Sequence, residues 1–169
     1  MELGLTIPLQ KHLRCKTPPP LPGWNRRFCW DLHIIPLRGQ PSLLAVHCES
    51  RYAFTLFGLH PSGWLHLRET FLDGLQRSFA AAGVPSVATR RYLRCAGPVQ
   101  FTKTHGRREV AFLNRAWTDV LALDYALDTA MQGQPLLDGA INRLPCRYAG
   151  FAGTGDAAGR LLQSLAALE

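Results

Sequence analysis

The sequence holds five cysteines, Cys15, Cys29, Cys48, Cys95 and Cys146, but no C-x-x-C pair. The odd count and wide spacing speak against a zinc ribbon or a thioredoxin-type motif and suit reduced, mostly buried thiols. No apolar run reaches the roughly 18 residues that span a bilayer, so no membrane association is expected. The opening Met1-Glu2-Leu3-Gly4 lacks the charged and apolar stretches of a signal peptide, which suits a cytoplasmic protein. None of the six histidines (His12, His33, His47, His60, His66, His105) pairs at H-x-x-x-H spacing. The G-x-S-x-G elbow and the G-x-x-x-x-G-K-[ST] phosphate loop are absent as well, which excludes the commonest zinc hydrolase, serine hydrolase and nucleotide-binding signatures. Asp119, Asp124, Asp128 and Asp138 are the carboxylates spaced for metal binding. Asp119, Asp124 and Asp128 read more simply as helix-surface charges, and neither a metal nor a cofactor is expected.

What is present is positive charge, unevenly placed. The 169 residues carry a formal +7. Residues 85–115 hold seven Lys/Arg against one acid, a net +6, whereas residues 116–169 hold three against six. Such asymmetry points to an anionic partner for the middle of the chain. At 47% hydrophobic and 18% charged, the composition is that of a globular chain, and the length fits a single domain over residues 1–169.

The order of elements indicates an α+β fold: an antiparallel sheet of four to five strands, covered on one face by a long helix and two or three shorter ones. Alternation marks strands over residues 2–7, 30–37, 42–47, 53–57 and 99–104, with short turns that suit hairpins. The proline run at 17–23 forbids regular structure and reads as an extended connector. Ser62 is the expected cap of a helix presenting Leu65, Phe71, Leu72, Leu75 and Phe79 on one face. A second short helix is expected at 87–95, and a long one from Arg107 toward Met131. Residues 150–155 form a glycine-rich stretch, and Asp156 caps a final helix to Leu168.

The densest chemistry lies in residues 99–115. Phe101-Thr102-Lys103-Thr104 ends a strand, His105-Gly106 turns, and Arg107-Arg108 opens a helix. A helix N-terminus offers free N–H groups and a positive dipole end, both suited to an anion. Lys103, Thr104, Arg107, Arg108 and, further along, Asn114 are the candidate anion-binding residues. By helical spacing Arg108 shares a face with Arg115, and Arg107 with Asn114. A second motif, Asn142-Arg143 before Leu144-Pro145, reads as a helix C-cap at Asn142.

The Phe-Thr-Lys-Thr strand end, the helix Asn114, the late Asn142-Arg143-Leu144-Pro145 and the opening Glu2-Leu3-Gly4-Leu5-Thr6 together resemble a widespread bacterial family of domains of unknown function. The resemblance covers nearly the whole chain and implies a compact α+β fold, but no activity. Three functional readings follow from the residues. One is a binding module for nucleic acid or another phosphate-bearing ligand, with Trp24, Trp30 and Tyr92 available for stacking. Another is a metal-independent, toxin-like ribonuclease with His105 as general acid or base. The third is a domain that binds a protein partner.

Overall fold

The computed structural model describes residues 1–147 and 154–168. The fold is α+β. Five strands, β1 (Glu2–Leu5), β2 (Cys29–Leu37), β3 (Gln40–His47), β4 (Ala53–Leu56) and β5 (Gln100–Lys103), form one sheet in the order β4-β3-β2-β1-β5. The sheet is mixed rather than wholly antiparallel. Tight turns join β2, β3 and β4, which therefore run antiparallel, while β1 lies parallel to both β2 and β5. Each parallel neighbour is reached through a long connection, as parallel pairing requires.

The helices are α1 (Ile7–His12), α2 (Pro61–Leu65), α3 (Leu67–Ala81), α4 (Ser86–Ala96), α5 (Arg107–Ala122), α6 (Pro135–Asn142) and α7 (Ala157–Ala166). They cover both faces of the sheet, not one. On the first face Leu3, Trp30, Leu43 and Phe54 share a core with Phe71, Leu75 and Phe79 of α3, Tyr92 of α4 and Leu161 of α7. On the second, Ile35, Leu44 and Val46 meet Phe112 and Leu113 of α5 and Leu137 and Ile141 of α6. The near-continuous apolar runs of β2 and β3 are the signature of strands buried on both sides. Trp30 and Tyr92 are fully buried core side chains. The Trp30 indole N–H donates to the Tyr92 hydroxyl at 2.9 Å, so neither ring is offered for stacking on a base. No helix among the described residues is long and apolar enough to cross a membrane.

Several boundaries differ from the sequence reading. His60, not Ser62, precedes α2, with Pro61 in the first turn. The backbone breaks at His66, so Leu65 is 79% exposed and Leu67 takes its place in the core. Helix α5 stops at Ala122, and a short 3-10 turn, Asp124–Ala126, follows. This early stop frees the chain to return to β4: Phe57 N–H donates to the Gln132 carbonyl, and Leu56 bridges Gly133. Asp156 caps α7 as expected, accepting from the Gly159 N–H at 2.7 Å. Of the glycine-rich stretch, residues 150–153 lie outside the described residues, and Thr154–Gly155 is a short strand, β7, paired with β6 (Cys146–Arg147).

The free edge of β4 is closed by side chains. Asn142, at the end of α6, accepts from the Ala53 N–H at 2.8 Å and donates to the Ala53 carbonyl at 2.6 Å, so its amide imitates a neighbouring strand. One turn earlier, Asp138 accepts from the Thr55 N–H at 2.9 Å. Asn142 is thus a buried edge-binding residue rather than a C-cap. Replacing it with Ala leaves a buried N–H and C=O unpaired. Urea denaturation of Asn142→Ala should show a loss of about 2–4 kcal/mol.

His47 sits in the first core against Trp30, with ring centroids 4.8 Å apart. Its Nδ1 accepts from the Ser50 N–H and its Nε2 faces the Arg27 carbonyl, an arrangement that requires the neutral ring with the proton on Nε2. Burial lowers its pKa from the ordinary 6.5 to about 4. The unfolded chain therefore binds a proton first, and this contribution to stability is present above pH 6.5 and lost as pH falls toward 4. The loss across that window is about 3 kcal/mol. Chemical denaturation between pH 7 and pH 4 should show it in the wild-type protein, and His47→Gln should remove that part of the slope.

Candidate functional site

Strand register assembles a polar cluster beside the second core. Glu2 lies opposite Cys29 and Gly4 opposite Asp31 on the β1–β2 pair, and Gly4 opposite Thr102 on the β1–β5 pair. Because side chains alternate, Leu3, Leu5, Trp30 and Leu32 enter the first core, while Glu2, Gly4, Cys29 and Asp31 face the other way. Cys48, just beyond β3, and His105, in the turn between β5 and α5, reach the same place.

His105 is its centre. Its side chain is wholly buried, with Nδ1 2.6 Å from Asp31 Oδ1 and Nε2 3.5 Å from Glu2 Oε2. The backbone N–H of His105 also donates to the Asp31 carboxylate. Trp24 lies against the imidazole, with ring centroids 4.7 Å apart. Nε2 has no hydrogen-bond partner among the described residues. The Glu2 carboxylate accepts from the Leu21 N–H, which ties the proline-rich strap over the cluster.

Two glycines make this arrangement possible. A Cβ on Gly4 would stand 2.1 Å from Asp31 Oδ1 and 2.9 Å from His105 Nδ1, so only glycine lets Asp31 and His105 meet across β1. Gly106 holds φ +136°, a backbone conformation that side chains disfavour, and so turns the chain sharply from His105 into α5.

The electrostatics are those of a closed site. Burial raises the Asp31 carboxyl, opposed by the hydrogen bond and charge of His105. Burial also pushes the Cys29 thiol up to about 12, with the Glu2 charge adding to it, and puts the Cys48 thiol well above its usual value. Cys48 Sγ approaches the same Nδ1 that Asp31 holds, at 3.6 Å. A nucleophilic triad needs the thiol and the carboxylate on opposite ring nitrogens, so Cys48, His105 and Asp31 do not form one.

Apart from His105, the candidate site residues singled out in the sequence lie outside this cluster. Lys103 and Arg107 are exposed around the strand-turn-helix, and Thr104 is half-buried there. Arg108 donates twice to the buried Glu109 carboxylate, at 2.9 and 3.2 Å, and Arg26 reaches it at 3.9 Å. Asn114 is exposed on α5, where Arg115 pairs with Asp119 at 3.0 Å. Asn142 belongs to the β4 edge, and Arg143 is exposed beyond it. Glu2, Cys29, Asp31 and Cys48 were not identified in the sequence as site residues. The available signal was Asp31, a carboxylate near the start of a strand that is otherwise apolar except for His33.

The family described as "Domain of unknown function (DUF6933)" matches residues 2–155, most of the chain, and the chain belongs to that family. No curated protein matches it.

Overpacking at the cluster should be costly. Gly4→Ala should destabilise the fold by about 1–3 kcal/mol in urea denaturation. Gly139→Ala, in α6 with open space around it, should stabilise it by up to about 1 kcal/mol.

Proposed function

We propose that this DUF6933 domain is a binding module for an anionic partner, either nucleic acid or another phosphate-bearing ligand, engaged by the outer surface of residues 99–115. One observation carries the reading. Lys103 and Arg107 stand exposed where β5 gives way to α5, and neither forms an ion pair among the described residues. The other cations of the segment are compensated: Arg108 by Glu109, and Arg115 by Asp119.

Further cations gather at the same sheet edge. The Lys103 N–H donates to the Pro18 carbonyl at 2.7 Å, which draws the strap carrying exposed Lys16 alongside β5. The Arg68 guanidinium lies 4.7 Å from the centre of the Phe101 ring. Gly106 contributes no side-chain cap, so the first-turn amides of α5 remain available beside these charges.

Binding of this kind is salt-dependent, because each neutralised phosphate releases counterions. Fluorescence anisotropy with labelled single-stranded RNA, single-stranded DNA and duplex DNA, across a salt series, tests it. Lys103→Glu/Arg107→Glu should weaken binding by about tenfold or more at low salt and reduce the slope against log salt by about 2. Arg115→Glu, at the far end of the segment and already paired with Asp119, should change it much less. Absence of binding by the wild-type protein at low salt to all three nucleic acids and to a polyphosphate would discard the reading.

A further inference from the structure

The orphaned nitrogen of His105 calls for a ligand. Nδ1 is held by Asp31, which fixes the ring and leaves Nε2 as the nitrogen open to a ligand. Nε2 points at Glu2 Oε2, and Cys29 Sγ completes a group of three ligand atoms lying within 4.8 Å of one another. The nitrogen is fully buried and makes no hydrogen bond among the described residues, although the Glu2 carboxylate stands 3.5 Å away.

We infer that Glu2, Cys29 and His105 form a binding site for a divalent cation of the zinc type, with Asp31 as the residue that orients His105. The donor set is one imidazole nitrogen, one thiolate and one carboxylate oxygen, which suits a borderline metal and not calcium or magnesium. A metal-bound histidine characteristically donates its other ring N–H to a carboxylate, as His105 does to Asp31. In tetrahedral zinc sites the ligand atoms stand roughly 3.3–3.8 Å apart, given bonds of about 2.0–2.3 Å. The Glu2–His105 distance is already 3.5 Å.

Binding requires loss of the Cys29 proton: the S–H bond breaks, the thiolate bonds the metal and the proton leaves to solvent. The thiol then gives up its contact with the Asn25 carbonyl, at present 3.1 Å. The +2 charge is met by the thiolate and the Glu2 carboxylate. The fourth tetrahedral position falls to water or to an outside ligand. A cation here would join the starts of β1 and β2 to the turn that leads into α5. Cys48 lies on the Nδ1 side of the ring and takes no part.

Cobalt(II) titration of the full chain tests this site, because cobalt replaces zinc and reports thiolate ligation and tetrahedral geometry by its absorption. The expected result is one equivalent bound, with a thiolate-to-cobalt charge-transfer band and strong visible bands, both displaced by zinc. Cys48→Ser and Cys95→Ser should keep the thiolate band, and Cys29→Ser should lose it while keeping the wild-type circular dichroism. If Cys29→Ser does not fold, Glu2→Gln serves instead and should keep the band while weakening cobalt binding by about tenfold or more, and unweakened binding in folded Glu2→Gln overturns the inference. A wild-type protein without the thiolate band overturns the inference outright, since it leaves His105 as a metal-free bridge between two carboxylates. A band that survives in folded Cys29→Ser, or disappears with Cys95→Ser, also overturns it by placing the metal elsewhere.

Discussion

The bond between Asp31 and His105 governs the polar end of this molecule. It spans β1, joining the start of β2 to the turn after β5, and passes through the space that Gly4 leaves open. Because Asp31 receives both the imidazole and the backbone N–H of His105, it sets the direction in which the chain enters α5. Helix α5 then supplies Phe112 and Leu113 to the second core. A buried pair of this kind adds little net stability compared with apolar packing, although breaking it by removing one partner costs about 3–5 kcal/mol. Its value is positional.

The same sheet meets its edge problem in two different ways. At β4, Asn142 and Asp138 of α6 satisfy backbone groups that a sixth strand would otherwise pair, and the Gln132–Gly133 backbone completes the edge. Burial raises the Asp138 carboxyl well above its usual value, so the residue sits there as a hydrogen-bonding group and not as a surface charge. At β5 the proline-rich strap closes the edge through the Pro18 carbonyl. Proline suits this role because it offers a carbonyl without an N–H of its own to satisfy. Both devices block strand addition by another chain.

Local patterns in the sequence were informative where the structure is local. The spacing of Phe71, Leu75 and Phe79 marked α3, the short turns marked β2 to β4, and Asp156 marked the start of α7. The parallel placement of β1 was not legible, because nothing in residues 2–5 indicates a partner about a hundred residues away. The one-face arrangement failed for a related reason: β3 is buried along most of its length, and a run of apolar residues does not say which helices cover each side. The cluster was invisible for the strongest version of this reason. Glu2, Cys29, Asp31 and His105 come from three separate stretches of chain, at spacings that match no motif. Asp138 looked like a possible metal-binding carboxylate and Asn142 like a cap because their partners, Thr55 and Ala53, are equally remote.

The basic segment and the buried cluster are two sides of one turn, and the distribution of its charges follows from that. Two arginines opening a helix oppose the dipole, by a few tenths of a kcal/mol to about 1 each. Glu109 in the first turn offsets this. It is buried, and it gathers Arg108 from its own helix and Arg26 from beyond the strap. That compensation is provided locally, not by the acidic C-terminal third of the chain. With Glu109 committed inward, no carboxylate among the described residues pairs with Lys103 or Arg107 on the outside. The residues that close the turn therefore leave its outer surface positive. An acid placed at the surface instead would neutralise that face, but it would leave the half-buried Arg108 guanidinium without its partner.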